Sequence, residues 1–243
     1  MENKTILITG CSSGVGKMLA GELSKKNRII AIARRLDRLM DYFGENENVS
    51  LFGCDIADAE SLKMTLEKID AGFPVIDVII NCAGVMTAGQ VEDLHLSDYR
   101  YAIEVNALAP LTIVKHYLPI MKKNNYGRII NFTSGAPLNN FSGYSAYSSS
   151  KAILNSWTVT LGNELRNTNV VVNLMSPGPV RSEMAPDAEY DPEICLPTVM
   201  YLLDKCVTCG GFYWLGYRVP LKPDLEGVDW LHGKGNEKLE RIL

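Results

Sequence analysis

Seven short apolar runs rich in β-branched residues recur along the chain, most of them separated by segments with a helical pattern. The runs are "TILIT" (5–9), "RIIAIA" (28–33), "VSLFGC" (49–54), "VIDVIIN" (75–81), "GRIINFT" (127–133), "VVVNLMS" (170–176) and "GGFYWLG" (210–216). Helical patterns cover 15–26, 36–43, 58–70, 97–123, 144–166 and 192–204. Strands that are apolar throughout must be covered on both faces. Strand–helix alternation does this by building parallel βαβ units. No Pro/Gly/Ser linker and no internal repeat divides the sequence. The expected fold is therefore a single doubly wound α/β domain over 1–243, with a mainly seven-stranded parallel sheet and helices on both faces.

Such a sheet binds ligands at the carboxyl ends of its strands, so the residues that follow each run carry the most information. The first run ends in "TGCSSGVGK". Gly10, Gly14 and Gly16 between a strand and a helix suit a tight turn and close approach of a pyrophosphate to the helix N-terminus. The spacing is not that of the usual dinucleotide fingerprint, and taken alone the loop also fits a glycine-rich turn with no ligand. After the second run come Ala33, Arg34 and Arg35. A carboxylate there would favour a ribose 2′-hydroxyl, whereas two guanidiniums favour a 2′-phosphate and hence NADP(H). The bland alternative is a solvated basic loop. The third run ends in "CDIAD", where Asp55 can accept from an adenine amino group and Ile56 can pack on its ring. Asp55 or Asp58 can equally cap the next helix. The fourth run ends in "NCAG", whose small residues leave room for a cofactor.

The fifth run ends in "NFTSGA", which puts Ser134 beside the same crevice. Tyr147 follows thirteen residues later, with Lys151 four residues beyond it on the same helix face. Their neighbours Ala146, Ser148, Ser149, Ser150 and Ala152 are small, so a ligand can lie along the helix. Carbonyl reduction needs a proton at the oxygen, and a phenol can supply it. The ordinary tyrosine pKa of about 10 is high for that work near neutrality. A neighbouring ammonium favours the phenolate, and Ser134 can hold the substrate oxygen. Out of context, such a Tyr/Lys pair would be surface decoration.

Taken together, the motifs resemble the short-chain dehydrogenase/reductase family, in its branch of roughly 250 residues. The match runs through "TGCSSGVG" (9–16), "NCAG" (81–84), Asn106 in "EVNALAP", Ser134, "YSSSK" (147–151) and "SPGPVRS" (176–182), in order and across residues 4 to about 215. The resemblance implies a Rossmann-type fold and catalysis by Asn106, Ser134, Tyr147 and Lys151. Tyr147 would be the general acid or base. Lys151 would bind the nicotinamide ribose and lower the tyrosine pKa, and Asn106 would hold a water that relays protons to Lys151. It further implies cofactor contacts from Ser12, Ser13 and Val15 of the glycine loop, from Asn81, Ala83 and Gly84, and from Pro177, Gly178, Val180 and Ser182. Ser134, Ala136, Tyr144 and Tyr147 would meet the substrate, with Val85, Met86 and a lid over 182–196 around them.

Three departures from the family pattern stand out. Cys82 replaces the second asparagine of "NNAG". "YWLGYRVP" stands near the place of the usual "VDGG" ending. Residues 217–243 form a C-terminal extension carrying Trp230, Leu231, Leu239, Ile242 and Leu243. That extension is expected to dock at a subunit interface, giving a homodimer or homotetramer.

The expected activity is NADP(H)-dependent interconversion of a carbonyl and a secondary alcohol by hydride transfer, with NAD(H) as the lesser cofactor and a small-molecule substrate. The alternatives are an NADP-binding regulatory or scaffold protein with little catalysis, and an epimerase or dehydratase of related fold. A net charge of −4 argues against a nucleic-acid surface. No apolar run approaches a membrane span of about 20 residues, and the first residues lack a signal-peptide core; a cytoplasmic protein is expected. Six cysteines include a lone CxxC, Cys206 and Cys209. It has no partner ligands at metal-binding spacing, so a structural role and no metal are expected.

Overall fold

The computed structural model describes residues 1–221. The chain runs β1 (Thr5–Thr9), α1 (Gly14–Ser24), β2 (Arg28–Ala33), α2 (Leu36–Phe43), β3 (Val49–Gly53), α3 (Ala59–Gly72) and β4 (Val78–Asn81). It continues through α4 (Leu96–Ile103), a π-helical turn (Glu104–Leu108), α5 (Ala109–Lys123), β5 (Gly127–Phe132), α6 (Ala136–Asn139), α7 (Ser145–Glu164) and β6 (Val170–Ser176). A 3₁₀ turn (Pro192–Cys195), α8 (Leu196–Asp204), β7 (Phe212–Trp214) and β8 (Tyr217–Val219) complete it.

The sheet order is β3-β2-β1-β4-β5-β6-β7-β8. Seven strands are parallel, and β8 returns antiparallel on β7. The alternation of side chains along a strand sorts the core into two halves. Ile6 and Ile8 of β1 pack on one face with Leu19 of α1, Leu39 of α2 and Val199 of α8. Leu7 packs on the other with Leu62 of α3, Ile113 of α5 and Leu161 of α7. Full burial of each such side chain stabilises the fold by about 1.5–3 kcal/mol.

Register positions the site. Thr9 pairs with Ile32 and with Asn81, and Asn81 pairs with Asn131. The ends of β1, β2, β4 and β5 therefore lie level, and the chain reverses its direction of winding between β1 and β4. That reversal opens the crevice in which ligands of such sheets bind.

Four expectations change. The 75–81 run pairs only from Val78, because Asp77 turns its carboxylate onto the Thr5 N–H at 2.9 Å and Lys4 Nζ at 3.3 Å. The 97–123 pattern is not one helix: the π-helical turn interrupts it, and Pro110 opens α5. Residues 210–216 do not form one strand. Leu215 (φ 44°) and Gly216 (φ 86°) make a two-residue hairpin turn with both φ positive. Consequently 217–219 are an eighth strand rather than the start of a tail. Residues 222–243 of the expected extension, with Trp230, Leu231, Leu239, Ile242 and Leu243, lie outside the described residues.

Candidate active site

A cleft of about 420 Å³ opens at the strand ends around the β1–β4 crossover. Its floor is the glycine loop. Gly10 has φ 81°, and a Cβ there would meet the Ala83 backbone at 2.8 Å. A Cβ on Gly16 would lie 2.3 Å from the Gly10 carbonyl oxygen. Both positions exclude any larger residue, and the close packing aims the start of α1 into the cleft. No side chain caps that helix, and no acidic residue lies in its first turn. Its N–H groups therefore suit an anion such as a pyrophosphate. Ser12, Ser13, Gly14 and Val15 line the same floor.

The wall beyond β2 carries Arg34 and Arg35. Arg34 Nη1 donates to the Tyr101 hydroxyl at 2.7 Å, and Arg35 Nη2 to Ser12 Oγ at 3.1 Å. No carboxylate follows β2 before these arginines. Asp58, not Asp55, caps α3, accepting from the Glu60 and Ser61 N–H groups at 2.9 and 3.0 Å. Asp55 closes a turn onto the Ala57 N–H at 3.1 Å and lines the cleft beside Ile56. The residues thus offer a pyrophosphate cradle, an adenine wall and guanidiniums for a phosphate, all of which fit a phosphorylated dinucleotide.

At the other end lie Tyr147 and Lys151, on the first turns of α7. Lys151 is 3% exposed, and its Nζ donates to the Phe132 carbonyl at 2.8 Å. Burial pulls its pKa down to about 8. The ammonium sits 5.9 Å from the Tyr147 ring centroid. Burial raises the Tyr147 pKa, and the nearby Ser134 hydroxyl opposes the rise. The Lys151 ammonium is not among the groups that set this shift.

Asn106 is wholly buried in the π-helical turn. Its Oδ1 accepts from the Val85 N–H at 2.9 Å, and its Nδ2 donates to the Val85 carbonyl at 2.8 Å and to Ser150 Oγ at 2.9 Å. It pins the turn after β4 to α7 instead of touching Lys151. A Cβ on Gly84 would fall 3.3 Å from Asn106 Oδ1 and 3.6 Å from Lys151 Nζ. The missing side chain leaves a gap between those two groups. Thr9 Oγ1 fixes the same turn by accepting from the Cys82 and Ala83 N–H groups, both at 3.1 Å.

Ala83, Gly84, Pro177, Val180 and Ser182 line the cleft. Asn81, Gly178, Asn106, Ser134, Ala136 and Tyr144 do not. Asn81 belongs to the core: its Nδ2 donates to Asn131 Oδ1 at 2.8 Å, and Asn131 Nδ2 to Thr158 Oγ1 at 2.9 Å. Gly178 packs against the Trp214 indole. Ser134 Oγ accepts from the Ala136 N–H at 3.1 Å. Ala136 is buried at the start of α6, and Tyr144 precedes the first residue of α7.

Sequence reasoning missed Tyr101 and Cys54, which also line the cleft, and placed Glu183 and Met184 only within the lid expected over 182–196 and not at the cofactor cleft they line. A tyrosine in mid-helix and a glutamate in an acidic loop carry no local signal of this. Cys82 lines the cleft as well, and burial holds its thiol up at about 12. Cys206 lies among Asn173, Thr208 and Tyr213, and Cys209 Sγ contacts the Val170 carbonyl. Among the described residues no group of three or more His, Cys, Asp or Glu is gathered at metal-binding distance, and no helix is long and apolar enough to cross a membrane.

The short chain dehydrogenase family model matches residues 4–193. An NADP-dependent 3-hydroxy acid dehydrogenase of Schizosaccharomyces pombe is 34% identical over 193 residues, 76% of this chain and 74% of that protein. Retinol dehydrogenase 8 of Bos taurus is 30% identical over 189 residues, 74% of this chain and 60% of its own length. Among solved structures, a 4-hydroxyisoleucine dehydrogenase complexed with NADH superposes with a TM-score of 0.83 at 23% identity, covering 88% of this chain and 97% of that one. An NADPH-bound carbonyl reductase from chicken fatty liver gives 0.81 at 20% identity, covering 90% and 99%. At those identities the structures speak for the fold.

Proposed function

The chain belongs to the short-chain dehydrogenase family, and on that premise we propose that it is an NADP(H)-dependent oxidoreductase interconverting a carbonyl and a secondary alcohol. The observation that carries the reading is the meeting of the Tyr147 phenol and the buried Lys151 ammonium at one end of the cleft whose other end is the glycine loop and its arginines. A nicotinamide dinucleotide bound along that cleft supplies or accepts the hydride.

The side chains supply the rest. Tyr147 gives its proton to the carbonyl oxygen in reduction and takes it back in oxidation. Ser134, near enough to the phenol to oppose the rise in its pKa, holds the same oxygen and stabilises charge that grows on it. Lys151 places a positive charge where burial magnifies it. With one N–H committed to Phe132, its remaining N–H groups suit ribose hydroxyls. Asn106 keeps the Val85 turn and α7 in register, and the gap at Gly84 suits a water between Asn106 and Lys151. Gly10, Ser12, Ser13, Gly14, Val15 and Gly16 cradle the pyrophosphate. Arg34 and Arg35 take the 2′-phosphate, which favours NADPH over NADH.

Oxidation of NADPH at 340 nm with a panel of carbonyls, 3-oxo acids among them because of the Schizosaccharomyces pombe relative, tests the activity. Consumption of a carbonyl at more than trace rate is expected. Tight NADPH binding with no turnover on any of them would favour a regulatory protein instead. A homo-oligomer belongs to the same proposal: Leu111 of α5 and Ile153 of α7 are exposed beside Trp157 and offer an apolar face to a second copy. Sedimentation of Ile153→Glu is expected to show a smaller species than the unmodified chain.

A further inference from the structure

The arginines beside β2 already hold an anion, and it is the protein's own. Arg35 Nη2 donates to Glu183 Oε2 at 2.7 Å, and Arg38 Nη1 to the other carboxylate oxygen, Oε1. The same Arg35 nitrogen reaches Ser12 Oγ at 3.1 Å. One carboxylate thus spans two guanidiniums at the rim of the glycine loop. The two arginines hold the Glu183 carboxyl below its usual range.

We propose that Glu183 is an internal counter-ion occupying the phosphate position, which the 2′-phosphate of NADP(H) must displace and NAD(H) need not. Arg38, one helical turn beyond Arg35, then becomes a third ligand of that phosphate. The inference rests on the reading that NADP(H) binds in this cleft with its 2′-phosphate at the arginines.

Exchange is favourable in direction and small in cost. A phosphate monoester carries close to two negative charges and three acceptor oxygens, against one charge and two oxygens for the carboxylate. The side chains of Arg35, Arg38 and Glu183 are 38%, 37% and 46% exposed, so the clasp is an exposed ion pair and weak. Its place in the chain gives the exchange a consequence. Ser182 lies against Gly14, and Met184 reaches towards Gly84 at the catalytic end. Releasing Glu183 frees the short segment that touches both ends of the cleft.

The test is a set of dissociation constants for NADPH, NADH, adenosine 2′,5′-bisphosphate and adenosine 5′-monophosphate, measured on the full chain, on Glu183→Gln and Glu183→Ala, and on Arg35→Ala and Arg38→Ala. Removing the competing charge is expected to tighten NADPH and the bisphosphate by about 1.5-fold to fivefold, the range of an exposed ion pair, and to leave NADH and the monophosphate unchanged. Arg38→Ala is expected to weaken only the phosphorylated pair. If the unmodified chain prefers NADPH and Arg35→Ala removes the preference, but both Glu183 variants bind NADPH equally or more weakly, the clasp is overturned and the cofactor reading stands. If the unmodified chain binds NADPH and NADH equally and Arg35→Ala changes neither, the cofactor reading falls and takes the clasp with it.

Discussion

The two ends of the cleft are built from opposite materials. At the end proposed for the phosphate, Arg34, Arg35, Arg38 and Glu183 stand in partial contact with water, where ion pairs are weak and screened. At the end proposed for the chemistry, Lys151 is almost fully buried with its ammonium on a backbone oxygen. A charge there costs free energy in the folded state, and burial holds the Lys151 pKa far below its ordinary 10.5. The contrast teaches where each kind of work is done. Recognition of a charged group tolerates water, whereas chemistry on a carbonyl oxygen gains from its exclusion.

Three substitutions can break that contrast or sharpen it, and the largest effect belongs to Tyr147. Tyr147→Phe removes the proton donor and no wall of the cleft, so turnover is expected to fall by about 10²–10⁴, with NADPH affinity held. A comparable loss of affinity, read by titration of cofactor fluorescence, would mean that the two ends are not separable.

Lys151→Met tests the cost of the buried charge. Below about pH 8 the ammonium is present in folded and unfolded chains alike, and its burial penalty is borne in full. Between about 8 and the ordinary 10.5 the folded chain sheds the proton while the unfolded chain keeps it. The unfolded state then binds more protons, so stability contributed by this group rises with pH. At pH 7 the variant is expected to be more stable by about 2 kcal/mol: a shift of this size is worth about 3 kcal/mol, less roughly 1 kcal/mol for the hydrogen bond lost by Phe132. The advantage is expected to shrink by pH 10. Denaturant titrations at the two pH values read it, and a variant less stable at pH 7 would show that the ammonium is not a burden. In the unmodified chain, cofactor affinity is expected to decline above about pH 8 as the ammonium is lost.

The smallest effect is expected at the wet end. Arg34→Ala is expected to weaken NADPH binding by about tenfold at low salt and by less at 0.5 M salt, with NADH unaffected. A loss that does not depend on salt would point to the Tyr101 hydrogen bond as a structural strut.

Much of this was legible in the sequence because local chemistry and fold coincide there. The apolar runs mark the strands, the glycines mark the floor, and the Tyr147–Lys151 spacing marks one helix face. Legibility failed where a side chain's partner lies far along the chain. Asn81 looks like a cleft residue beside Ala83 and Gly84, yet a hydrogen bond to Asn131 across β4 and β5 takes it into the core. Glu183 looks like one more acid in a polar loop until the fold brings it to Arg35, 148 positions away. Leu215 hid the hairpin between β7 and β8, because leucine at positive φ is rare and strained. Asn106 was found by resemblance, but the π-helical turn that carries it has no distinct sequence pattern. Such turns often mark functional sites.

The most direct measurement follows the hydride itself. NADPH deuterated at C4 of the nicotinamide, on either face, is incubated with a carbonyl that the enzyme consumes, and the alcohol is examined by mass spectrometry. The account predicts deuterium on the former carbonyl carbon from one face only in the unmodified chain, and formation of that labelled alcohol slowed by at least about 10² in Tyr147→Phe. Alcohol that forms without label, or at an undiminished rate in the variant, would contradict it.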